Sequence, residues 1–245
     1  ILRSWLFLRN LESEGLNCQG HERSCVRSTA LLALGVFNLF ASMLPPSAMR
    51  TASWVTGFKG GRDVALSQLR TCWEEGGVQA PFAGLALIGM AVDVSNFLGE
   101  LWAERQEKHC EARKILDWAA ECYPGSFFFK GLEAAYTAAE KDLPGAIAKI
   151  EDVIALVQDH PFIVFLVHVR AATLRACVLE WPEAAAHFRT ALEVHQKASR
   201  RAFCPTLALN AHLCYSAAGM EKEAAEMLAA CRSYRKKKKS WSLFD

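Results

Sequence analysis

The chain has 245 residues, of which 52% are hydrophobic and 22% are charged, and its formal net charge is +2. This composition supplies a continuous apolar core and excludes a globally disordered chain. Arg235 and the lysines at 236–239 contribute five positive charges. Subtracting those five from +2 leaves −3 for the rest, which is not the charge of a body that binds nucleic acid.

Nine cysteines are present, an odd number, and none forms a CxxC pair. Several fall at apolar helical positions, so the pattern favours small buried thiols in a reducing compartment over a disulfide framework or a metal site. The chain starts at Ile1, and residues 1–11 lack a signal-peptide cleavage pattern. We therefore expect an excerpt of a longer polypeptide.

The first 28 residues predict a short amphipathic helix over 1–16 and a polar loop over 17–28, together part of a larger N-terminal region. Residues 29–44 then run almost without charge until Pro45 and Pro46 stop the helix. A membrane span needs roughly 20 residues. The shorter run therefore favours a buried helix, with membrane contact as the alternative.

A glycine turn at 57–63 leads into a predicted helix over 64–75, and two longer helices follow over 82–103 and 108–122. No stretch alternates apolar and polar residues over the length of a strand, so no strand is predicted. The remaining helices are predicted as pairs over 126–141 with 144–157, 161–180 with 182–197, and 204–218 with 220–233. Residues 235–245 form a basic tail, predicted to be flexible.

One phrase recurs in the second helix of each pair: a small residue, a large apolar residue four positions later, and a small residue three positions after that. The phrases are Ala65/Leu69/Cys72, Ala112/Leu116/Ala119, Ala146/Ile150/Val153, Ala184/Phe188/Ala191 and Ala224/Leu228/Cys231. Their leading alanines are 47, 34, 38 and 40 residues apart, close to the period of tetratricopeptide arrays.

The repeated phrase predicts an all-α fold, an alpha-alpha superhelix of about five helix pairs over 29–234. Residues four apart share a helix face, and a small residue there lets a neighbouring helix approach closely. Ala134 and Ala172 lie twelve positions before the leading alanines of their pairs, where the first helix needs its own close-contact point. In the last pair His212 takes that place, which predicts a looser or differently capped hairpin.

The sequence motifs between residues 34 and 69 are more specific to one family than the repeats are. It reads G-V-F-N-L-F-A-S-M-L-P-P from Gly35, then G-F-K-G-G-R from Gly57 and L-S-Q-L from Leu66. These phrases, with 123–128 and 179–184, resemble the family of tetratricopeptide repeat protein 39 and the fungal inclusion-body clearance protein. The resemblance covers about residues 25–230.

The resemblance implies a helical-repeat adaptor linked to protein quality control, inclusion-body clearance and lipid homeostasis. It implies a place in the cytoplasm, in the nucleus or at the mitochondrial outer membrane. It carries over no catalytic residue and no cofactor, so we expect a protein that is not an enzyme. The alternative is a peripheral membrane or lipid-droplet protein that uses 29–44 and the basic tail.

Three candidate chemical sites have weak support in the sequence. Lys59 and Arg62 beside the glycine turn could form an anion nest. The turn lacks the order of a nucleotide loop and follows no strand, so a structural turn is favoured. His109 and Cys110 are neighbours on a helix and point about 100° apart, which excludes a nucleophile–base pair. No histidine shows a metal-ligand spacing with Cys or carboxylates, so no metal site is predicted.

An inner groove is the better candidate for binding. Counting from the leading alanines, the positions expected to line it are Val94, Phe97, Leu101, Phe128, Leu166, Val169, Leu209 and Leu213. These side chains are apolar, so we predict that the groove holds a hydrophobic helix, either from a partner protein or from this protein's own missing N-terminal region. In the alternative interpretation, the register is shifted and these residues belong to the core between helices.

Overall fold

The computed structural model describes residues 7, 10, 11, 19–43, 61–94, 102–197 and 203–236. Within these ranges the chain forms ten α-helices and one π-helical turn, with no strand, as the sequence predicts. The helices are α1 Gly20–Ser42, α2 Arg62–Glu74, α3 Ala80–Gly89, α4 Trp102–Cys122, α5 Phe127–Ala139, α6 Leu143–Leu156, α7 Pro161–Cys177, α8 Trp181–Lys197, α9 Cys204–Ala217 and α10 Glu221–Lys236.

The chain divides into two compact units, Ile1–Pro124 and Gly125–Asp245. The first holds α1 to α4 and the second α5 to α10. The predicted repeat region over 29–234 includes parts of both units and stays a prediction. The boundary between the two units falls at the Pro-Gly turn of residues 124 and 125. Turns of this kind also separate the other helix pairs, so the sequence does not distinguish this boundary from an ordinary turn.

In the first unit, α1 packs on α2, α2 on α3, and α3 on α4. The contact between α1 and α2 is close at Gly35, where an added Cβ would lie 2.8 Å from Cγ of Leu69. Leu69 is fully buried, so it has no room to move away. Glycine at this position therefore sets the distance between the two helices.

Helix α1 begins earlier than predicted, because residues 20–28 are helical and not a loop. Glu22 lies in the first turn, where a carboxylate stabilises the helix dipole. Arg27 reaches Glu75 at the end of α2, with Nη2 2.7 Å from Oε1. This ion pair joins the polar first part of α1 to the end of α2. The helix has 23 residues, and it is long and apolar enough to cross a membrane by length and composition, although 39% of its most apolar window is buried.

The predicted helix over 82–103 is also wrong in its extent. Helix α3 ends at Gly89 and continues as a π-helical turn over Met90–Val94, and α4 already begins at Trp102. Glycine and β-branched valines lower helix propensity, which accounts for the loss of regular α-helix here. The residues over 95–101 lie outside the described part of the chain.

In the second unit, each helix packs on the next one along the chain, and the predicted bounds lie within three residues of the observed ones. Pro144, Pro161 and Pro205 stand in the first turns of α6, α7 and α9, where a missing N–H costs nothing. Asp142 caps α6, since the Gly145 N–H donates to its Oδ1 at 2.9 Å.

The three hairpins of this unit turn in the same way. Lys141, Leu179 and Gly219 have φ of 69°, 63° and 72°, and each lies two residues after the end of its first helix. The next residue's N–H donates five residues back in every case, from Asp142 to Thr137, from Glu180 to Arg175 and from Met220 to Tyr215. This is the Schellman ending of a helix, closed by backbone hydrogen bonds.

The repeated phrase forms the core. Ala146 and Ala184 are fully buried, and Ile150 and Phe188 are buried beside them. The partner positions Ala134 and Ala172 are fully buried as well. In the last hairpin His212 lies with Nδ1 2.9 Å from the carbonyl oxygen of Ala224. A hydrogen bond from α9 to α10 thus replaces the close alanine contact of the earlier pairs.

Candidate protein-binding groove

The predicted groove residues of the second unit lie on the first helices of its three hairpins. Phe128 on α5 is 48% exposed, Leu166 on α7 is 45% exposed, and Val169 on α7 is partly buried. On α9, Leu209 is 41% exposed and Leu213 is 55% exposed. Four of these five apolar side chains are therefore largely open to solvent.

The other three predicted positions lie in the first unit. Phe97 and Leu101 fall within 95–101, outside the described residues, and the side chain of Val94 is likewise outside the description. Their binding role stays a prediction.

Phe128, Leu166 and Val169 line one groove, with a cavity volume of about 390 Å³, between α5 and α7. Ile150 of α6 also lines it. The remaining lining residues are Phe127, Gly131, Leu132, Ile163, Val167, Arg170 and Thr173. Leu209 and Leu213 extend the exposed apolar surface onto α9 but do not line this cavity.

The lining is apolar apart from two side chains. Thr173 is satisfied within its own helix, because its hydroxyl donates to the carbonyl oxygen of Val169 at 2.9 Å. Among the described lining residues, Arg170 carries the one charge. Gly131 presents no side chain on the wall of α5. Such a lining suits an apolar ligand and offers little to a peptide whose recognition depends on a charged end.

Sequence reasoning missed one aromatic side chain of this surface. Phe162 lies four residues before Leu166 on α7 and is exposed. A helix places residues four apart on the same face, so the spacing from Leu166 could have identified it. Phe162 and Leu166 thus make an i, i+4 apolar pair on α7, like Leu209 and Leu213 on α9.

A polar cluster occupies the junction of α6, α7 and α8. His168 Nδ1 lies 2.9 Å from His187 Nδ1, and His187 Nε2 lies 3.4 Å from Glu151 Oε1. Arg175 Nη2 donates to the same carboxylate oxygen at 2.9 Å. Burial lowers the pKa of both histidines, and the neighbouring imidazole of His187 lowers that of His168 further. The histidine spacing in sequence did not indicate this cluster.

The other candidates from the sequence lie partly outside the described residues and form no common site within them. Lys59 and residues 57–60 lie outside the described part, while Arg62 begins α2. His109 is buried and Cys110 is exposed, so the two side chains diverge as their spacing on a helix requires. Within the described ranges, no group of three or more His, Cys, Asp or Glu residues could hold a metal ion.

The cysteines differ in burial. Cys72, Cys204, Cys214 and Cys231 are buried, Cys25 is partly buried, and Cys110, Cys122 and Cys177 are exposed. The expectation of buried thiols is therefore wrong for those last three. Among these eight described cysteines no disulfide is formed. Burial raises the pKa of the Cys72 and Cys214 thiols, which disfavours the reactive thiolate at these two sites.

Helix pairs that meet at buried small residues define a helical-repeat protein of the tetratricopeptide type, here with an exposed apolar face on the first helices. The family model of Iml2/Tetratricopeptide repeat protein 39 matches residues 9–243, nearly the whole chain. The chain belongs to this family. The resemblance drawn from residues 34–69 is thereby confirmed, as is the fold class.

Proposed function

We propose that the chain is a non-enzymatic interaction scaffold whose second unit holds a hydrophobic helix of a partner protein in the groove between α5 and α7. The observation that carries the proposal is the exposure of apolar side chains on these first helices, where Phe128 and Leu166 line one groove. Exposed apolar surface of this kind marks interaction sites in folded proteins.

The shape of the groove favours a helix as its occupant. Leu166 and Val169 line the groove three residues apart on α7, and a bound helix offers its own side chains at such a spacing. Arg170 at the groove favours a partner that carries an acidic residue beside its apolar ridge. The alternative occupant expected from the sequence is an N-terminal segment of the protein itself, and the partner's helix is the one proposed.

Family membership supports a proposal for the cellular role. We propose that the scaffold acts in protein quality control, including inclusion-body clearance, and in lipid homeostasis, in the cytoplasm, in the nucleus or at the mitochondrial outer membrane. These assignments are supported by family membership and by a surface suited to assembling proteins. They require no cofactor and no catalytic group.

Proximity labelling with the full-length protein tests the groove. The variant Phe128→Asp with Leu166→Asp places two carboxylates on exposed positions of the groove wall, which opposes binding of an apolar helix. We expect the variant to lose a defined subset of labelled proteins that contain apolar helical segments. The matched control, Val64→Asp with Val78→Asp, carries the same charges on exposed valines of the first unit and should keep that subset.

Two results would contradict the groove. A folded variant with an unchanged set of labelled proteins would show that these side chains do not bind. An outright loss of helical circular dichroism in the variant, with the control intact, would assign Phe128 and Leu166 to the core.

A second candidate function is attachment to a membrane or lipid-droplet surface. It is favoured by α1, whose length and composition would allow it to cross a membrane, and by the exposed side chains Phe40 and Met43 near its end. The basic residues at 235–239 could add attraction to anionic lipids. The buried face of α1 against α2 instead favours a core helix, which is why this candidate ranks second.

A further inference from the structure

The two histidines at the junction of α6, α7 and α8 share a hydrogen bond, and His187 also lies next to a carboxylate. A 2.9 Å separation of two Nδ1 atoms requires one ring to donate and the other to accept. Nε2 of His187 faces the Glu151 carboxylate, which can only accept, so this nitrogen carries a proton. In the neutral ring Nδ1 of His187 is then the acceptor, and His168 donates to it.

This arrangement tolerates one additional proton but not two. A proton added to His168 at Nε2 leaves its Nδ1–H still donating to His187. A proton added to His187 must go to Nδ1, since Nε2 is occupied already. When both rings are charged, two N–H groups face each other at hydrogen-bond distance, and the two positive charges repel.

The surrounding charges act in opposite directions on the pair. The Glu151 carboxylate from α6 favours the charged forms of both rings. It is shared with Arg175 of α7, which opposes the charge on His187. Arg175 also pairs with Glu180, with Nη1 2.5 Å from Oε2. One guanidinium shared by two carboxylates leaves one net negative charge in the cluster, which can compensate one imidazolium ion but not two.

We propose that His168 and His187 form a proton-sensitive clasp, which holds α7 against α8 while the pair carries at most one added proton and releases when both rings are charged. The clasp joins helices that pack on each other through Phe165 and Phe188 in the same core. Acidification would therefore loosen this hairpin at one point before the remaining packing is lost. The inference goes beyond the groove and does not depend on it.

The direction of the pH effect follows from the depressed pKa values. Both histidines have a folded-state pKa below the ordinary 6.5, so the unfolded chain binds more protons than the folded chain in this range. Stability from the pair is therefore complete above about pH 6.5 and is lost as the pH falls below it. A pair that gained stability from protonation would show the opposite trend.

Two measurements on the full chain test the clasp. Ring resonances in NMR, followed from pH 8 to pH 4.5, should show His168 and His187 titrating below 6.5 and in two coupled steps. In thermal unfolding, His168→Asn places an amide nitrogen where Nδ1 was, so it still donates to His187 but cannot take a proton. Its loss of Tm between pH 7.5 and pH 5.0 should be smaller than that of the wild type by roughly 2–4 °C.

The control is His21→Asn, which changes an exposed histidine of α1 in the first unit. We expect it to lose as much Tm as the wild type. An equal loss in His168→Asn would overturn the clasp. If that variant does not fold, the wild-type titration decides alone, and a pKa of 6.5 or above for both rings would overturn it as well.

Discussion

Single alanines set how closely the helices of each pair approach, and their neighbours on the same helix show the contrast. Ala184 on α8 is fully buried, whereas Ala186, two residues further along, is exposed. Two residues along a helix correspond to about 200° around its axis, so the two side chains point in nearly opposite directions. The same residue type therefore has a packing role at one position and none at the other.

Replacing Ala184 by leucine should be destabilising. The side chain has no free volume to enter, and overpacking a dense core costs about 1–3 kcal/mol. Ala186→Leu adds the same atoms to the same helix on its exposed side and should change the free energy of unfolding by less than about 0.5 kcal/mol. Urea denaturation followed by circular dichroism measures both, and equal effects would refute a packing role for Ala184.

At the scale of the element, the hairpin turns depend on backbone geometry more than on residue type. The left-handed residue is Lys141 in one turn, Leu179 in the next and Gly219 in the third. A side chain other than glycine costs about 1 kcal/mol in this conformation. The backbone hydrogen bonds of the turn and the packing of its two helices hold Lys141 and Leu179 there against that cost.

Leu179→Gly should therefore stabilise the second unit. Leu179 is 67% exposed, so little packing is lost, and relief of the strained φ should raise the free energy of unfolding by about 0.5–1 kcal/mol. The larger freedom of glycine in the unfolded chain offsets part of the gain. Gly219→Leu is the reciprocal change and should lower stability by a similar amount. Thermal unfolding tests both, and a lower Tm for Leu179→Gly would contradict the argument.

Local patterns account for the features that the sequence predicted correctly. Ala134 with Ala146 and Ala172 with Ala184 were placed by spacing alone, because helical periodicity fixes which residues share a face. The pairing of His168 with His187 was not predictable in the same way. These two histidines are on different helices, and whether they meet depends on how those helices cross, which no local pattern encodes. The left-handed backbone at Lys141 and Leu179 was not predictable either, because neither residue type signals it.

The extent of α1 could not be read from the sequence for a different reason. Residues 20–28 are polar, and an apolar stripe is what identifies a helix in a sequence. Their helical state depends on tertiary contacts. One of them is made by the buried Ser28, whose Oγ accepts a hydrogen bond from the backbone N–H of Gln79 at 3.0 Å. The division of the chain after Pro124 has no signal of its own in the sequence, because that turn resembles the others.

At the scale of the whole molecule, flotation with liposomes separates the scaffold from the membrane alternative. The buried face of α1 packs on α2, and leaving the folded unit for a bilayer would uncover that face of α2. We therefore expect the full chain to stay at the bottom of a density gradient with liposomes that contain anionic lipid. Flotation that is lost on Phe40→Glu with Met43→Glu, or on deletion of 235–239, would favour the membrane candidate.

The repeated turns of the second unit have a consequence for how such a chain can change in length. Their left-handed residues are 38 and 40 positions apart, and each turn is closed by its own backbone atoms. A segment of the chain that runs from one of these turns to the next therefore has the same backbone geometry at both ends, whatever its side chains are. A hairpin duplicated or deleted at these points would need no new connection, so a gene for this protein could gain or lose a whole repeat in one step.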